Sequence, residues 1–176
     1  EISPAVLVEL DRKLLADQLF EVYLHQVLID GVFHADPHPG NLLLTMDGRI
    51  ALMDFGMVSR VAPDMQLQLL RLLMALSEGR VEDAAQAAVS LGRPYKRTDF
   101  DEGEFREKVA QVITANHGKP LRQLQAGRIV MDLDSAAGET GLKLANAVVM
   151  LGKTLLNLDK VVGVLDPEFD PHAAIK

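Results

Sequence analysis

Hydrophobic residues recur at the spacing of α-helices along most of this chain. Residues 10–29 are apolar at so many positions that they are predicted to form one helix buried on nearly every face. Further helices are predicted from Pro63 to near Gly79, from Val81 to Leu91, from about Asp101 to Asn116 and from Thr140 to Leu158, with a weaker segment from Pro120 to Leu133. The pattern therefore predicts a mainly α-helical fold.

Two short runs depart from the helical spacing and are predicted to be β-strands. They cover Asn41 to Thr45 and Arg49 to Met53, and the segment Met46-Asp47-Gly48 between them carries the Asp-Gly pair typical of a tight hairpin turn. Because a hairpin returns its two ends to one place, Asn41 at its start and Asp54 just after it are expected to lie close together.

The residues around this hairpin carry a pattern typical of phosphoryl transfer. His34, Asp36 and Asn41 form H-x-D-x-x-x-x-N, and Asp54 begins an Asp-Phe-Gly thirteen residues after Asn41. Each piece alone is a weak signal, but the ordered pair separated by strand-like sequence is typical of the catalytic half of a protein-kinase-like site. The predicted fold is accordingly mainly α, the C-terminal lobe of a protein-kinase-like fold, with a small β-hairpin that carries the catalytic and Asp-Phe-Gly motifs.

Phosphoryl transfer explains why these residue types are needed. The reaction requires a cation that neutralises phosphate charge and a group that aligns the attacking oxygen. Asp36 is predicted to be the catalytic residue that aligns the attacking group or accepts its proton. Asn41 and Asp54 are predicted to bind the cofactor through Mg²⁺, because one amide oxygen and one carboxylate suffice for this cation.

Three residues beside this site are predicted to be structural. His34 is expected to brace the backbone of the Asp-Phe-Gly segment, to which Phe55 and Gly56 belong. His38 is close enough in sequence to touch a substrate, but Pro37 and Pro39 on either side favour a role in shaping the loop.

Composition and charge narrow the function classes. The net charge is −7, which argues against a nucleic-acid partner. The chain contains no cysteine, so it has neither a disulfide framework nor a thiolate metal site. No apolar run is long enough to span a bilayer, and no signal peptide is visible.

The motif region resembles one known family. Phe33-His-Ala-Asp-Pro-His-Pro-Gly-Asn41, followed by Met53-Asp-Phe-Gly-Met57, is similar to the UbiB family of atypical kinase-like proteins, also called aarF-domain kinases. The segment from Leu158 to Asp170 resembles the same family. The resemblance implies ATP and Mg²⁺ as cofactors, ATPase or unorthodox kinase activity, and support of isoprenoid quinone biosynthesis or prenyl-lipid handling. It also implies a lipid or quinone-precursor ligand and a cytoplasmic protein peripheral to a membrane.

Parts expected of a complete kinase-like enzyme are missing from the sequence. There is no G-x-G-x-x-G phosphate loop, and the Lys-x-Gly-Gln motif and Ala-rich nucleotide loop of UbiB-like proteins are absent. Residues 1–176 are therefore interpreted as a kinase-like C-lobe cut from a longer protein, without its N-terminal nucleotide lobe. The surface that would meet that lobe is expected to be exposed and to promote self-association.

Other interpretations stay open at this point. A small-molecule phosphotransferase of the aminoglycoside or choline type shares a similar H-x-D-x-H-x-x-N loop, and a non-catalytic binding module that keeps the motifs is a third class. Gly152-Lys153-Thr154 resembles the end of a P-loop but falls within a helical pattern. The apolar stripe from Leu144 to Leu165 has coiled-coil spacing, although packing into its own lobe is favoured.

Overall fold

The computed structural model describes residues 11–45, 48–95, 100–116 and 126–166. The α-helices in these ranges are α1 (Arg12–His25), α2 (Pro63–Glu78), α3 (Val81–Ser90), α4 (Glu102–Asn116), α5 (Ala126–Glu139) and α6 (Asn146–Leu165). The strands are β1 (Val32–His34), β2 (Leu42–Leu44), β3 (Ile50–Leu52), β4 (Val58–Arg60), β5 (Gly92–Pro94) and β6 (Leu142–Leu144). The prediction of a mainly helical fold with a small hairpin is confirmed.

The strands form three antiparallel pairs, β1 with β4, β2 with β3 and β5 with β6. The second pair is the predicted hairpin, in which Leu42 lies opposite Leu52 and Leu44 opposite Ile50. Its predicted turn at Met46 and Asp47 lies outside the described residues. The β1–β4 pair was not predicted, and it joins the segment before the hairpin to the segment after it.

Buried side chains form two hydrophobic clusters. The larger fills the space among α2, α3, α4, α5 and the first half of α6. The smaller lies between α1, the hairpin and the second half of α6, and it includes Leu42, Leu158 and Val162. The hairpin is thus seated on apolar side chains of two helices. The apolar stripe of α6 packs within these clusters, as the sequence favoured.

The contact between α5 and α6 depends on small residues. A methyl group on Gly127 would lie only 2.4 Å from the backbone nitrogen of Leu156 and 2.9 Å from the carbonyl oxygen of Gly152. On the other helix, a methyl group on Gly152 would lie 2.8 Å from Val130 Cγ1. The backbones of the two helices therefore approach more closely than any larger residue at position 127 allows.

The first helix differs from its prediction. α1 ends at His25 rather than Ile29, and Gln26–Asp30 form a π-helical turn that ends at Gly31, where φ is 66°. Nor is the helix buried on all faces, because Leu14 is 52% exposed and Val22 45% exposed. A π turn often marks a functional site, and this one comes directly before the candidate loop. The Oε1 atom of its first residue, Gln26, accepts the backbone N–H of His34 at 2.9 Å.

The last two predicted helices also needed correction. α5 runs past Leu133 to Glu139, and α6 begins at Asn146 rather than Thr140. Thr140 is buried, and its hydroxyl donates to the carbonyl oxygens of Ala136 and Ala137, so it closes α5 instead of starting α6. The predicted start at Pro120 lies outside the described residues. Within the described ranges, no helix is both long enough and apolar enough to cross a membrane.

Candidate functional site

The hairpin brings Asn41 to the chain just before Asp54. One residue beyond the last strand pair, the backbone N–H of Met53 donates to the carbonyl oxygen of Asn41 at 2.8 Å. Because Asp54 follows Met53 directly, the two predicted metal ligands lie at the same end of the hairpin. Local pairing of apolar strands, seated on α1 and α6, is therefore what determines their positions.

His34 is buried and connects Asp36 to Asp54. Its Nε2 lies 3.0 Å from the carbonyl oxygen of Met53 and 3.1 Å from that of Asp54, while Nδ1 accepts the backbone N–H of Asp36 at 3.3 Å. Since carbonyl oxygens can only accept, the imidazole carries its proton on Nε2. The Phe55 ring packs edge-on against His34, with 5.3 Å between ring centroids, while most of Phe55 is exposed.

Asp54 has a left-handed backbone conformation, with φ of 53°. Within the described part of the chain it is the only residue other than glycine with a positive φ. Aspartate tolerates this region because its short side chain bonds locally, and here Asp54 Oδ1 accepts the backbone N–H of Gly56 at 3.1 Å. Backbone strain of this kind concentrates at functional sites. The contact orients an exposed carboxylate before any cation arrives.

Asn41 is buried, and its amide nitrogen faces Asp36. Nδ2 donates to the carbonyl oxygen of Asp36 at 3.0 Å and lies 3.5 Å from Asp36 Oδ2. Because the nitrogen is used in this way, the amide oxygen Oδ1 is the atom that remains for a cation. The arrangement therefore leaves Asn41 Oδ1 available as a hard oxygen ligand. At the same time, Asn41 Nδ2 holds the main chain of Asp36.

The loop is also anchored from α6. The hydroxyl of the fully buried Thr154 lies 3.0 Å from the carbonyl oxygen of Ala35 and 2.9 Å from that of Met150, so its one proton is shared between the two acceptors. The backbone N–H of Ala35 donates to the carbonyl oxygen of Met57 at 3.0 Å. Gly152 and Thr154 lie inside α6, so they form no phosphate loop, in agreement with the helical pattern. The Gly-Lys-Thr sequence instead supplies a hydroxyl that fixes the residue before Asp36.

The donor set fits one cation in particular. In the ranges that the structure describes, no group of three or more histidine, cysteine, aspartate or glutamate side chains is arranged to hold a metal ion. Mg²⁺ requires no such cage, because it keeps several waters and is bound through one or two protein ligands together with substrate phosphates. One amide oxygen and one carboxylate, from Asn41 and Asp54, match that requirement.

His38 makes two contacts within the loop. Its Nδ1 accepts the backbone N–H of Gly40 at 2.9 Å, which agrees with the predicted role in shaping the loop. Its Nε2 lies 3.6 Å from Asp36 Oδ2, a contact that sequence reasoning did not predict. The spacing of two residues between Asp36 and His38 could have indicated this contact, because alternate side chains of an extended segment lie on the same side.

Two polar residues that sequence reasoning missed line an apolar cavity of about 170 Å³. Within the described residues, the Tyr23 hydroxyl and Asp159 Oδ2 are buried without a hydrogen-bond partner. Burial raises the pKa of Tyr23, and the charge of Asp36 raises it further. Burial also raises the pKa of Asp159 to about 6, although the backbone N–H of Gly127 opposes this shift. Neither residue belongs to a recognisable sequence motif, so no local pattern indicated them.

Two family models match the chain. The ABC1 atypical kinase-like domain matches residues 5–88, which include the loop and the hairpin, and the UbiB helical domain matches residues 109–170. The chain belongs to the UbiB-type family of ABC1 atypical kinase-like proteins. The family resemblance carried by the two motifs is thereby confirmed.

Curated relatives agree with this assignment. The probable protein kinase UbiB of Azotobacter vinelandii is 31% identical over 164 residues, which cover 91% of this chain and 30% of that protein. Two uncharacterized proteins of Synechocystis are 30% and 32% identical, over 84% and 92% of this chain and over 36% and 27% of their own lengths. The chain thus spans about a third of the length of these relatives.

Proposed function

We propose that residues 1–176 form the C-terminal lobe of a kinase-like fold and carry the catalytic and metal-binding loop of an Mg-ATP-dependent phosphotransferase or ATPase. One observation carries the proposal: Asn41 and Asp54 lie at the same end of hairpin β2–β3, and Asn41 Nδ2 donates to Asp36. This is the arrangement that phosphoryl transfer requires, with cation ligands and a carboxylate for the attacking group side by side.

Each residue then has a definite role. Asn41 Oδ1 and the Asp54 carboxylate would hold Mg²⁺, and Asp36 aligns the attacking oxygen and accepts its proton. When bound, Mg-ATP supplies the phosphoryl group and the positive charge that stabilises its transfer. Structural roles belong to His34, Phe55 and Gly56. His34 Nε2 donates to the carbonyl oxygen of Asp54, the Phe55 ring packs against His34, and the backbone N–H of Gly56 donates to Asp54 Oδ1.

A second, nucleotide-binding lobe is proposed to cover this site in the whole protein. Apolar side chains around Asp54 are exposed, which suits a surface that another lobe buries. They are Val32, Met53, Phe55, Met57 and Val58. Without that cover the same surface is expected to cause self-association, and light scattering that shows only monomers of this chain at high concentration would argue against it.

The acceptor is proposed to be water, a small molecule or a lipid rather than another protein. Protein kinases build a peptide platform from a long segment after Asp-Phe-Gly. Here only Met57 to Ala62 precede α2, and Val58–Arg60 are used as strand β4 against β1. The name of the Azotobacter relative includes protein kinase, but this short segment favours ATPase or lipid-linked chemistry. Radiolabel transfer to a protein substrate faster than ATP hydrolysis would contradict this choice.

We also propose that the apolar cavity binds a prenyl-lipid or quinone-precursor ligand. Such a ligand would give the protein a role in isoprenoid quinone biosynthesis at a membrane surface. The cavity, with a volume of about 170 Å³, is similar in size to an engineered cavity that binds benzene, of about 150 Å³. Its apolar wall comes from α1, α2, α4, α5 and α6. Protection of cavity methyl groups by an isoprenoid alcohol in NMR spectra would support the ligand, and unchanged spectra would oppose it.

The first prediction tests the metal site in the whole protein. Asp54→Asn should abolish thermal stabilisation by Mg-ATP, because it removes the charged ligand of the pair. Asp36→Asn should keep that stabilisation but lose at least ~100-fold in turnover, since Asp36 acts on the attacking group. Asp132→Asn, an exposed carboxylate on α5, is the matched control and should behave like the wild type.

Two results would reject the assignment. If Asp54→Asn were stabilised by Mg-ATP as strongly as the wild type, Asp54 would not be a metal ligand. If Asp36→Asn turned over ATP at the wild-type rate, Asp36 would not be the residue that aligns the attacking group.

A further inference from the structure

The ring of His38 contacts the loop on the side of Gly40. Pro37 and Pro39 flank it and restrict the backbone. The backbone N–H of Gly40 donates to Nδ1 at 2.9 Å. A methyl group on Gly40 would lie 2.7 Å from His38 Cε1, so only glycine lets the ring lie this close. The observed position of the imidazole is therefore favoured by one hydrogen bond and by the close approach that glycine at position 40 permits.

This geometry determines where the imidazole proton is. Because Nδ1 accepts the N–H of Gly40, the neutral ring carries its proton on Nε2. Nε2 lies 3.6 Å from Asp36 Oδ2, and the second donor near that oxygen is Asn41 Nδ2, at 3.5 Å. Both separations exceed a good hydrogen bond, and such contacts at catalytic sites often tighten only when the reactants are bound.

We propose that His38 is a positioning residue for Asp36. Its Nε2–H and the amide of Asn41 both approach Oδ2, so the other oxygen, Oδ1, is directed to the attacking group. This inference rests on the proposed phosphotransferase or ATPase function and assigns His38 no contact with the reacting atoms. In the reaction itself, the O–H bond of the attacking water or hydroxyl breaks, its proton passes to Asp36 Oδ1, its oxygen bonds to phosphorus, and the bond from phosphorus to the nucleoside diphosphate breaks.

Two substitutions separate this role from the alternative, in which His38 only shapes the loop by accepting the N–H of Gly40. In His38→Asn, the amide oxygen can take the place of Nδ1 and accept the N–H of Gly40, but no donor reaches Asp36. In His38→Gln, the longer side chain can place an N–H where Nε2 stands. Both residues are neutral and polar, so the pair separates the acceptor for Gly40, which asparagine keeps, from the donor toward Asp36, which glutamine keeps.

Steady-state ATP turnover of the whole protein tests the proposal. His38→Asn should lower kcat by about 10-fold with little change in KM for Mg-ATP, because a misdirected carboxylate affects the transition state and not nucleotide binding. His38→Gln should recover kcat to within about 3-fold of the wild type, as expected if the donor is what matters. Equal kcat in the two variants, at any level, or a lower kcat in His38→Gln, would overturn the positioning role.

A spectroscopic measurement keeps this test distinct from the proposed function. If the wild type turns over no ATP, the phosphotransferase or ATPase assignment fails, and the positioning role fails with it. The tautomer remains testable independently, through imidazole nitrogen shifts in NMR spectra assigned with His38→Gln. A proton on Nε2 is expected, and a neutral ring protonated on Nδ1 would overturn the geometry even in an active enzyme.

Discussion

The loop around Asp36 and the cavity beside Asp159 differ in whether their buried polar groups are hydrogen-bonded. In the loop, His34, Asn41 and Thr154 each bond to a main-chain carbonyl oxygen. In the cavity, the Tyr23 hydroxyl and Asp159 Oδ2 have no partner among the described residues. Satisfied polar groups make a rigid structure, whereas an unsatisfied one lowers stability. One region is therefore organised before any ligand arrives, and the other carries a cost that a ligand can relieve.

Of the substitutions considered for stability, one at the contact between α5 and α6 should change the free energy of unfolding most. Gly127→Ala places a methyl group against the backbone of α6, which cannot move aside as a side chain can. We expect it to lower the free energy of unfolding by about 3 kcal/mol or more. Chemical denaturation of the two proteins measures this difference.

Gly163→Ala is the matched control, because it is also a glycine in a helix of this pair but has nothing within 4 Å of the added methyl group. It should raise stability by about 0.5–1 kcal/mol through helix propensity. If Gly127→Ala were as mild as this control, the close approach of α5 and α6 would not be essential for packing.

The carboxyl group of Asp159 should make stability depend on pH. Burial raises its pKa to about 6, against about 3.9 in the unfolded chain. Between these values the folded state binds the proton more tightly, so stability should fall as pH rises from 4 to 7, by about 2–3 kcal/mol. Asp159→Asn should remove most of this fall, as measured by denaturation at several pH values.

The control for Asp159→Asn is the exposed Asp132→Asn, which subtracts the general effect of losing one negative charge. A slope that is the same in the wild type and in Asp159→Asn would show that another group is responsible. A bound apolar molecule with a hydrogen-bond donor should flatten the wild-type slope, because it would give the carboxylate its missing partner.

The loop should respond more mildly to the loss of one anchor. Thr154→Val keeps the shape of the side chain but leaves the carbonyl oxygen of Ala35 without its donor. We expect a loss of about 1–2 kcal/mol, the usual consequence of an unsatisfied buried group. Thr154→Ser keeps the hydroxyl and should lie nearer the wild type. A loss in Thr154→Ser as large as that in Thr154→Val would mean that packing of the methyl group, which valine keeps and serine lacks, matters as much as the hydrogen bond.

The parts of the molecule that sequence predicted are those governed by local rules. The helix from Pro63 stops where expected because Gly79 takes a left-handed φ of 70°. The strands of the hairpin follow from apolar runs around an Asp-Gly pair. Strand β4 was missed because its partner, β1, lies far away in sequence. The early start assigned to the last helix reflects a similar limit, since Leu142–Leu144 form strand β6 against β5, which lies far earlier in the chain.

The candidate site likewise contains residues that the sequence predicted and residues that it did not. The motif alone predicted Asp36, Asn41 and Asp54, because their spacing is a property of the chain. The tautomer of His38 and the hydroxyl of Thr154 could not be predicted, since both depend on which atoms the folded loop brings within reach. Tyr23 and Asp159 could not be predicted either, because their burial beside the cavity depends on helices that come together only in the fold.

The hydrogen bond from Thr154 to Ala35 also affects the order of events during synthesis. It joins residues 119 positions apart, one within the segment matched by the ABC1 domain and the other within the segment matched by the UbiB helical domain. A ribosome completes the candidate motif long before it makes Thr154, which contacts the loop from α6. Until α6 is made, the loop lacks this hydrogen bond and the hairpin lacks the apolar side chains of α6 on which it packs. A chimera that exchanges only one of the two matched segments between relatives would have to preserve this pair.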